Sequence, residues 1–181
     1  MERLKQTHLV QIVWHSFELR PAGSPPISPE YMARIEAMRP QMEKMARDVY
    51  GVTIRSGKFG IDSRPALIGA KYAQVQGAGE AYHTAVLRAY WQEAKDISDE
   101  AVLRHIAESV GLNGDAFIQA LHDPVYDSMV TQDVDAAHRL RINGVPALLF
   151  KEKYLVSGAQ PYDALVDILK QIETLEQNES R

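Results

Sequence analysis

"RINGVPALLFKEKYLVSGAQP", residues 141–161, constrains the fold more than any other stretch of this chain. Gly144-Val145-Pro146 leads directly into the apolar run Ala147–Phe150, and a second apolar run covers Tyr154–Val156 after a three-residue polar gap. Two short apolar runs that close together predict a β-hairpin. A proline at its mouth has no N–H to give to a ladder, which suits an edge or the first position of a strand. The step at Pro146 therefore reads either as an ordinary strand start or as backbone left open for a ligand.

The rest of the chain is read around that hairpin. "LVQIVWHSFEL", residues 9–19, is rich in β-branched and aromatic residues and predicts a strand covered on both faces, as in a parallel sheet. "MERLKQTH" before it has the look of a helix's last turns. From residue 28 to about residue 142 the pattern is helical. Ser28-Pro29-Glu30 is a cap, a first-turn proline and an acidic first turn. Pro40 is expected to kink or split the helix that follows, and Gly51 to end it. Asp62-Ser63-Arg64-Pro65, Ser98-Asp99-Glu100, Asp115 and Asp123-Pro124 mark further helix starts. After the hairpin, Leu165, Ile168, Leu169, Ile172 and Leu175 form one stripe of a final helix that begins at Pro161. The order strand, helical block, hairpin, helix predicts an α/β fold of two domains. Residues 1–27 and 143–181 form one, and residues 28–142 an inserted helical subdomain.

Composition removes most chemistries. The 181 residues contain no cysteine, which excludes disulfides, thiolate nucleophiles, Cys-ligated zinc and a dithiol cycle within this chain. The six histidines show no metal-ligand spacing, and there is no phosphate-binding glycine loop and no G-x-S-x-G. A net charge of −4 gives no electrostatic case for nucleic acid. No apolar run approaches the roughly 18 residues of a membrane span, and the charged start does not read as a signal peptide. A cytoplasmic protein is the expectation. His15, His83 and His138 read as packed or solvent-facing rather than catalytic. Tyr82, Tyr90 and Trp91 read as core and cleft wall, and the stripe Met32, Ile35, Met38, Met42, Met45 as helix packing or a tolerant binding surface.

The order of elements, with Gly144-Val145-Pro146 ahead of the hairpin, resembles a thioredoxin fold with a helical insertion. "WHSFELRP", "IDSRPALIGAKYAQVQG", "LRAYWQEAKDISDEAVLRHIAESVGL" and "GVPALLFKEKYLVSGAQP" resemble the DsbA-like family. The likeness is to the branch of FrnE-type oxidoreductases and 2-hydroxychromene-2-carboxylate isomerases. It spans about residues 9–172. It implies a thioredoxin-like sheet with a large all-helical insertion, and a cis bond before Pro146 that turns the N–H and C=O of Val145 outward. Those groups would pair with an extended peptide, or with the cysteinyl backbone of glutathione, as an added strand.

The resemblance also implies a reactive Cys-x-x-Cys or serine at the start of the first helix, after a first strand. Neither is assignable to any residue here, so the expected catalytic set is empty. The expected binding set is Val145, Pro146, Ser157, Gln160, Asp62 and Ser63. Ser157 and Gln160, before the last helix, could hold a carboxylate such as the γ-glutamyl end of glutathione, or form only a glycine turn and cap. Asp62 and Ser63 either line a cleft or cap a helix.

The first strand of such a sheet is central. Forfeiting about four of its buried apolar side chains removes on the order of 6–12 kcal/mol. The expectations are therefore an omitted upstream segment, a strand-complementing partner chain or a rearranged strand, with the first favoured. No metal or cofactor is called for, although glutathione fits the family. The functions that follow are a thiol–disulfide oxidoreductase whose Cys-x-x-Cys is absent from this chain, a glutathione-dependent isomerase or transferase, or a redox-inert module for peptide binding or dimerisation. Expected partners are an extended peptide or a glutathione-like thiol, with a homodimer as a further expectation.

Overall fold

The computed structural model describes residues 1–55 and 57–179. The chain divides into two compact units, residues 1–17 with 135–181, and residues 18–134.

The first unit holds α1 (Glu2–Thr7), β1 (Ala147–Phe150), β2 (Tyr154–Ser157) and α8 (Tyr162–Glu179). The two strands pair antiparallel, Ala147 opposite Ser157 and Phe150 opposite Tyr154. Leu165 and Ile172 lie seven residues apart on α8 and are both buried, as one face of a helix requires. Leu4 of α1 is also buried. Arg3 stacks its guanidinium 3.7 Å over the Tyr162 ring, and the hydroxyls of Thr7 and Tyr162 lie 2.9 Å apart. Tyr154 donates its phenol to Glu176 at 2.9 Å, tying β2 to α8.

The hairpin turn closes with Lys153 N donating to Phe150 O at 3.0 Å, and Lys151 and Glu152 between them have φ of 53° and 56°. Two consecutive residues at positive φ are a conformation that Asn-Gly adopts with least strain. Each L-residue with a Cβ held there costs about 1–2 kcal/mol. Replacing Lys151-Glu152 by Asn-Gly should therefore raise stability by about 1–2 kcal/mol, read as a higher urea midpoint; an unchanged or lower midpoint would contradict the turn.

The second unit is helical. It contains α2 (Pro29–Tyr50), α3 (Arg64–Val75), α4 (Gly79–Trp91), α5 (Glu100–Ser109) and α6 (Gly114–Leu121), and α7 (Pro124–Arg139) runs across the boundary. Local chemistry sets the ends. Ser28 accepts from Tyr31 N, Asp99 from Ala101 N and Asn113 from Ala116 N, while Gly51 closes α2 at φ 65°. The core gathers Tyr72, Tyr82, Leu103, Phe117 and Val130. Phe117 meets Tyr72 edge-on at 5.9 Å between ring centres and Tyr82 at 5.5 Å. Gly69 of α3 makes this possible, because a Cβ there would stand 2.5 Å from the Tyr82 hydroxyl and 2.6 Å from Phe117 Cζ. Lys71 and Asp133 form a buried ion pair at 2.5 Å beside this core.

Three expectations change. Residues 9–19 carry no ladder: among the described residues the only sheet is β1–β2. A strand is defined by a paired neighbour, and none of the described segments pairs with this one. Pro40 does not split α2, which is continuous from Pro29 to Tyr50. The carbonyl of Glu36, which a proline at this position leaves unbonded, belongs to an exposed turn where water can serve it. The methionine stripe is not buried packing, since no residue of α2 is buried.

Candidate functional site

Val145 is 51% exposed, and its peptide bond to Pro146 is cis. Pro146 O is already used, accepting from Gly158 N at 2.9 Å. Neither the N–H nor the C=O of Val145 has a hydrogen-bond partner among the described residues. A main-chain donor and acceptor on one exposed residue, at the entrance to β1, can take the complementary pair of an extended guest.

Ser157 and Gln160 share the turn that leaves β2. Gln160 Nε2 donates to Ser157 O at 3.1 Å across Gly158, whose φ is 85°. The amide N–H is thus directed at the turn, while the Ser157 hydroxyl has no partner among the described residues.

Asp62 and Ser63 belong to the second unit. Asp62 Oδ1 accepts from Arg64 N at 2.9 Å, so it tethers the start of α3. Ser63 occupies the cap position in a helical conformation with no cap bond from its side chain. The chemically busiest member of this motif is the next residue. Arg64 donates to Asp127 Oδ1 at 2.7 Å, to Glu18 Oε2 at 2.8 Å and to Thr131 Oγ1 at 2.8 Å. The bond to Asp127 raises the Arg64 pKa and holds the Asp127 carboxyl below its ordinary value.

Because the folded value of Asp127 is depressed, its contribution is complete above about pH 4, the unfolded range. It is lost as pH falls through the folded value. Asp127→Asn should flatten the loss of stability below about pH 4 in acid titrations followed by helical circular dichroism. An acid limb as steep as that of the parent would remove Asp127 from the account.

His83 is half-buried rather than solvent-facing, and burial pushes its pKa down, partly opposed by Glu80. No group of three or more metal-ligating side chains occurs among the described residues. No described helix is long and apolar enough to cross a membrane. One feature goes beyond the expected site: a groove of about 460 Å³ in the second unit, between Met38, Met42 and Met45 on α2 and Phe59, Tyr90 and Trp91. Its traces in the sequence are the methionine spacing of α2 and the pair Tyr90 and Trp91, read there as core and cleft wall.

Residues 1–170 match the family model described as the DSBA-like thioredoxin domain. YwbO, an uncharacterized protein of Bacillus subtilis (strain 168), is 28% identical over 157 residues, covering 83% of this chain and 76% of YwbO. The crystal structure of a probable DsbA oxidoreductase, SCO1869 of Streptomyces coelicolor, superposes with a TM-score of 0.69 at 24% identity. That match covers 79% of this chain, which spans 63% of the other. A 2-hydroxychromene-2-carboxylate isomerase superposes with a TM-score of 0.75 at 20% identity over 99% of this chain and 88% of the isomerase. At these identities the two structures report the fold.

Proposed function

This chain belongs to the DSBA-like thioredoxin domain family, and from that premise we propose that it docks the extended main chain of a peptide thiol, a cysteine-containing peptide or glutathione, for thiol–disulfide chemistry. The observation that carries this reading is the unpaired N–H and C=O of Val145, exposed beside Pro146 at the mouth of the hairpin. The guest lies there as a short added strand. The 181 residues contain no cysteine, so they hold and orient the guest and supply no exchanging thiol.

Two main-chain hydrogen bonds at about 0.5–1.5 kcal/mol each total at most about 3 kcal/mol before the entropy of association is set against them, so binding is weak, with a Kd of about 10 mM or above. The test is NMR titration of the 15N-labelled chain with S-methylglutathione and with a blocked extended tetrapeptide. The Val145 amide is expected to shift most in both titrations. No response of that amide up to about 100 mM, a free energy of only about −1.4 kcal/mol, would overturn the reading. In parallel, an insulin-reduction assay of this chain should show none; measurable turnover would contradict the division between docking and exchange.

A further inference from the structure

We propose that α2 is a self-association element: two copies of this chain pair through antiparallel α2 helices, each lying in the other's methionine groove. The inference is independent of the peptide-docking reading, since it uses only the second unit.

The first observation is periodicity. Tyr31, Ile35, Met38, Met42, Met45 and Val49 follow one another in steps of four, three, four, three and four. That is the alternation of a two-stranded coiled-coil seam, sustained for nearly three heptads. Pro40 falls on the outer face of this frame, away from the seam, where its missing N–H does not disturb the contact.

The second is exposure. α2 runs 22 residues and buries none of them, and Met38, Met45 and Val49 are 54%, 53% and 67% exposed. A helix takes most of its stability from burying an apolar face, so this one is short of a partner. The groove beside the seam, walled by Phe59, Tyr90 and Trp91, has the concavity a second helix fills.

The third is charge complementarity, which selects the occupant. If two copies of α2 cross about an axis at residue 40, the seam pairs Tyr31 with Val49, Ile35 with Met45 and Met38 with Met42. On one flank Arg34 then faces Asp48 of the other copy, twice by symmetry, and Gln41 meets its own copy. The other flank brings Arg39 near its copy, a repulsion that the two Arg34–Asp48 pairs offset. Asp48 already lies near Lys44 and Arg47 of its own helix, and Arg34 near the Tyr31 ring, so both groups stand at the helix edge where a second copy meets them.

The decisive experiment is sedimentation velocity of this chain over a concentration series. A concentration-dependent dimer is expected, and Met38→Glu with Met42→Glu should return it to monomer with its helical signal kept, since both positions are exposed. Arg34→Glu alone and Asp48→Arg alone should each weaken the dimer about three- to tenfold, and the two together should restore it. The cysteine-free background allows a check of direction. Gln41→Cys should cross-link to its copy through a short bismaleimide, whereas Met45→Cys should not, because its copies stand about 15 Å apart along the helix axis. A monomer at every concentration, a dimer indifferent to the methionine substitutions, or a cross-link at Met45→Cys would overturn the proposal. So would an anilinonaphthalene sulfonate dye filling the groove of a protein that stays monomeric.

Discussion

Replacing Phe117 by alanine should remove about 3–5 kcal/mol, the range for deleting a large aromatic from a packed interior. Phe117 is fully buried and is the ring against which both Tyr72 and Tyr82 rest. Those two tyrosines come from α3 and α4, so the lost contacts join three helices rather than one pair. The whole stability of a typical domain is about 5–15 kcal/mol, and the variant's second unit should be marginal at 37 °C. Urea unfolding followed by the helical signal would show a lower midpoint with little change in slope. A loss under about 1 kcal/mol would mean that the helical unit is not organised around this ring.

The second large effect concerns Lys71 and Asp133, whose side chains are 7% and 13% exposed and 2.5 Å apart. Asp133→Ala leaves an ammonium group in the interior without its counter-charge, which should cost about 3–5 kcal/mol. Lys71→Met combined with Asp133→Leu removes both charges while keeping the volume, and should come back to within about 1 kcal/mol of the parent or exceed it. The comparison matters more than either value. If the double variant is as damaged as the single one, the pair stabilises the fold outright rather than merely avoiding an orphaned charge. Chemical denaturation of the parent, single and double variants in one buffer decides between these.

What the sequence disclosed and what it withheld divide along the range of the forces. Ser28, Gly51 and Asp99 act on backbone groups within a few residues, and each sits at the helix end its chemistry predicts. The hairpin was equally legible, because two short apolar runs so close together have few other ways to pair. Val145 lies at its mouth with its N–H and C=O unpaired among the described residues, while the carbonyl of Pro146 is taken by Gly158 N. Residues 9–19 misled because β-propensity describes a surface suited to a ladder and cannot supply the neighbour. The α2 methionines, read as helix packing or a tolerant binding surface, are not buried, because a seam that faces the core and one that faces solvent share the same spacing. The charge network at Arg64 was hidden because its partners Glu18, Asp127 and Thr131 are distant in sequence and meet only after folding.

Gly69 has a consequence for anyone comparing relatives of this chain. The space above it is already taken by a phenol oxygen and an aromatic edge, so even one added methyl must displace them. Evolutionary drift can therefore trim the neighbourhood but cannot enlarge it at that point. A column of unbroken glycine there, with an aromatic aligned to Tyr82, would record steric necessity inside a scaffold and should not be mistaken for the signature of a reaction.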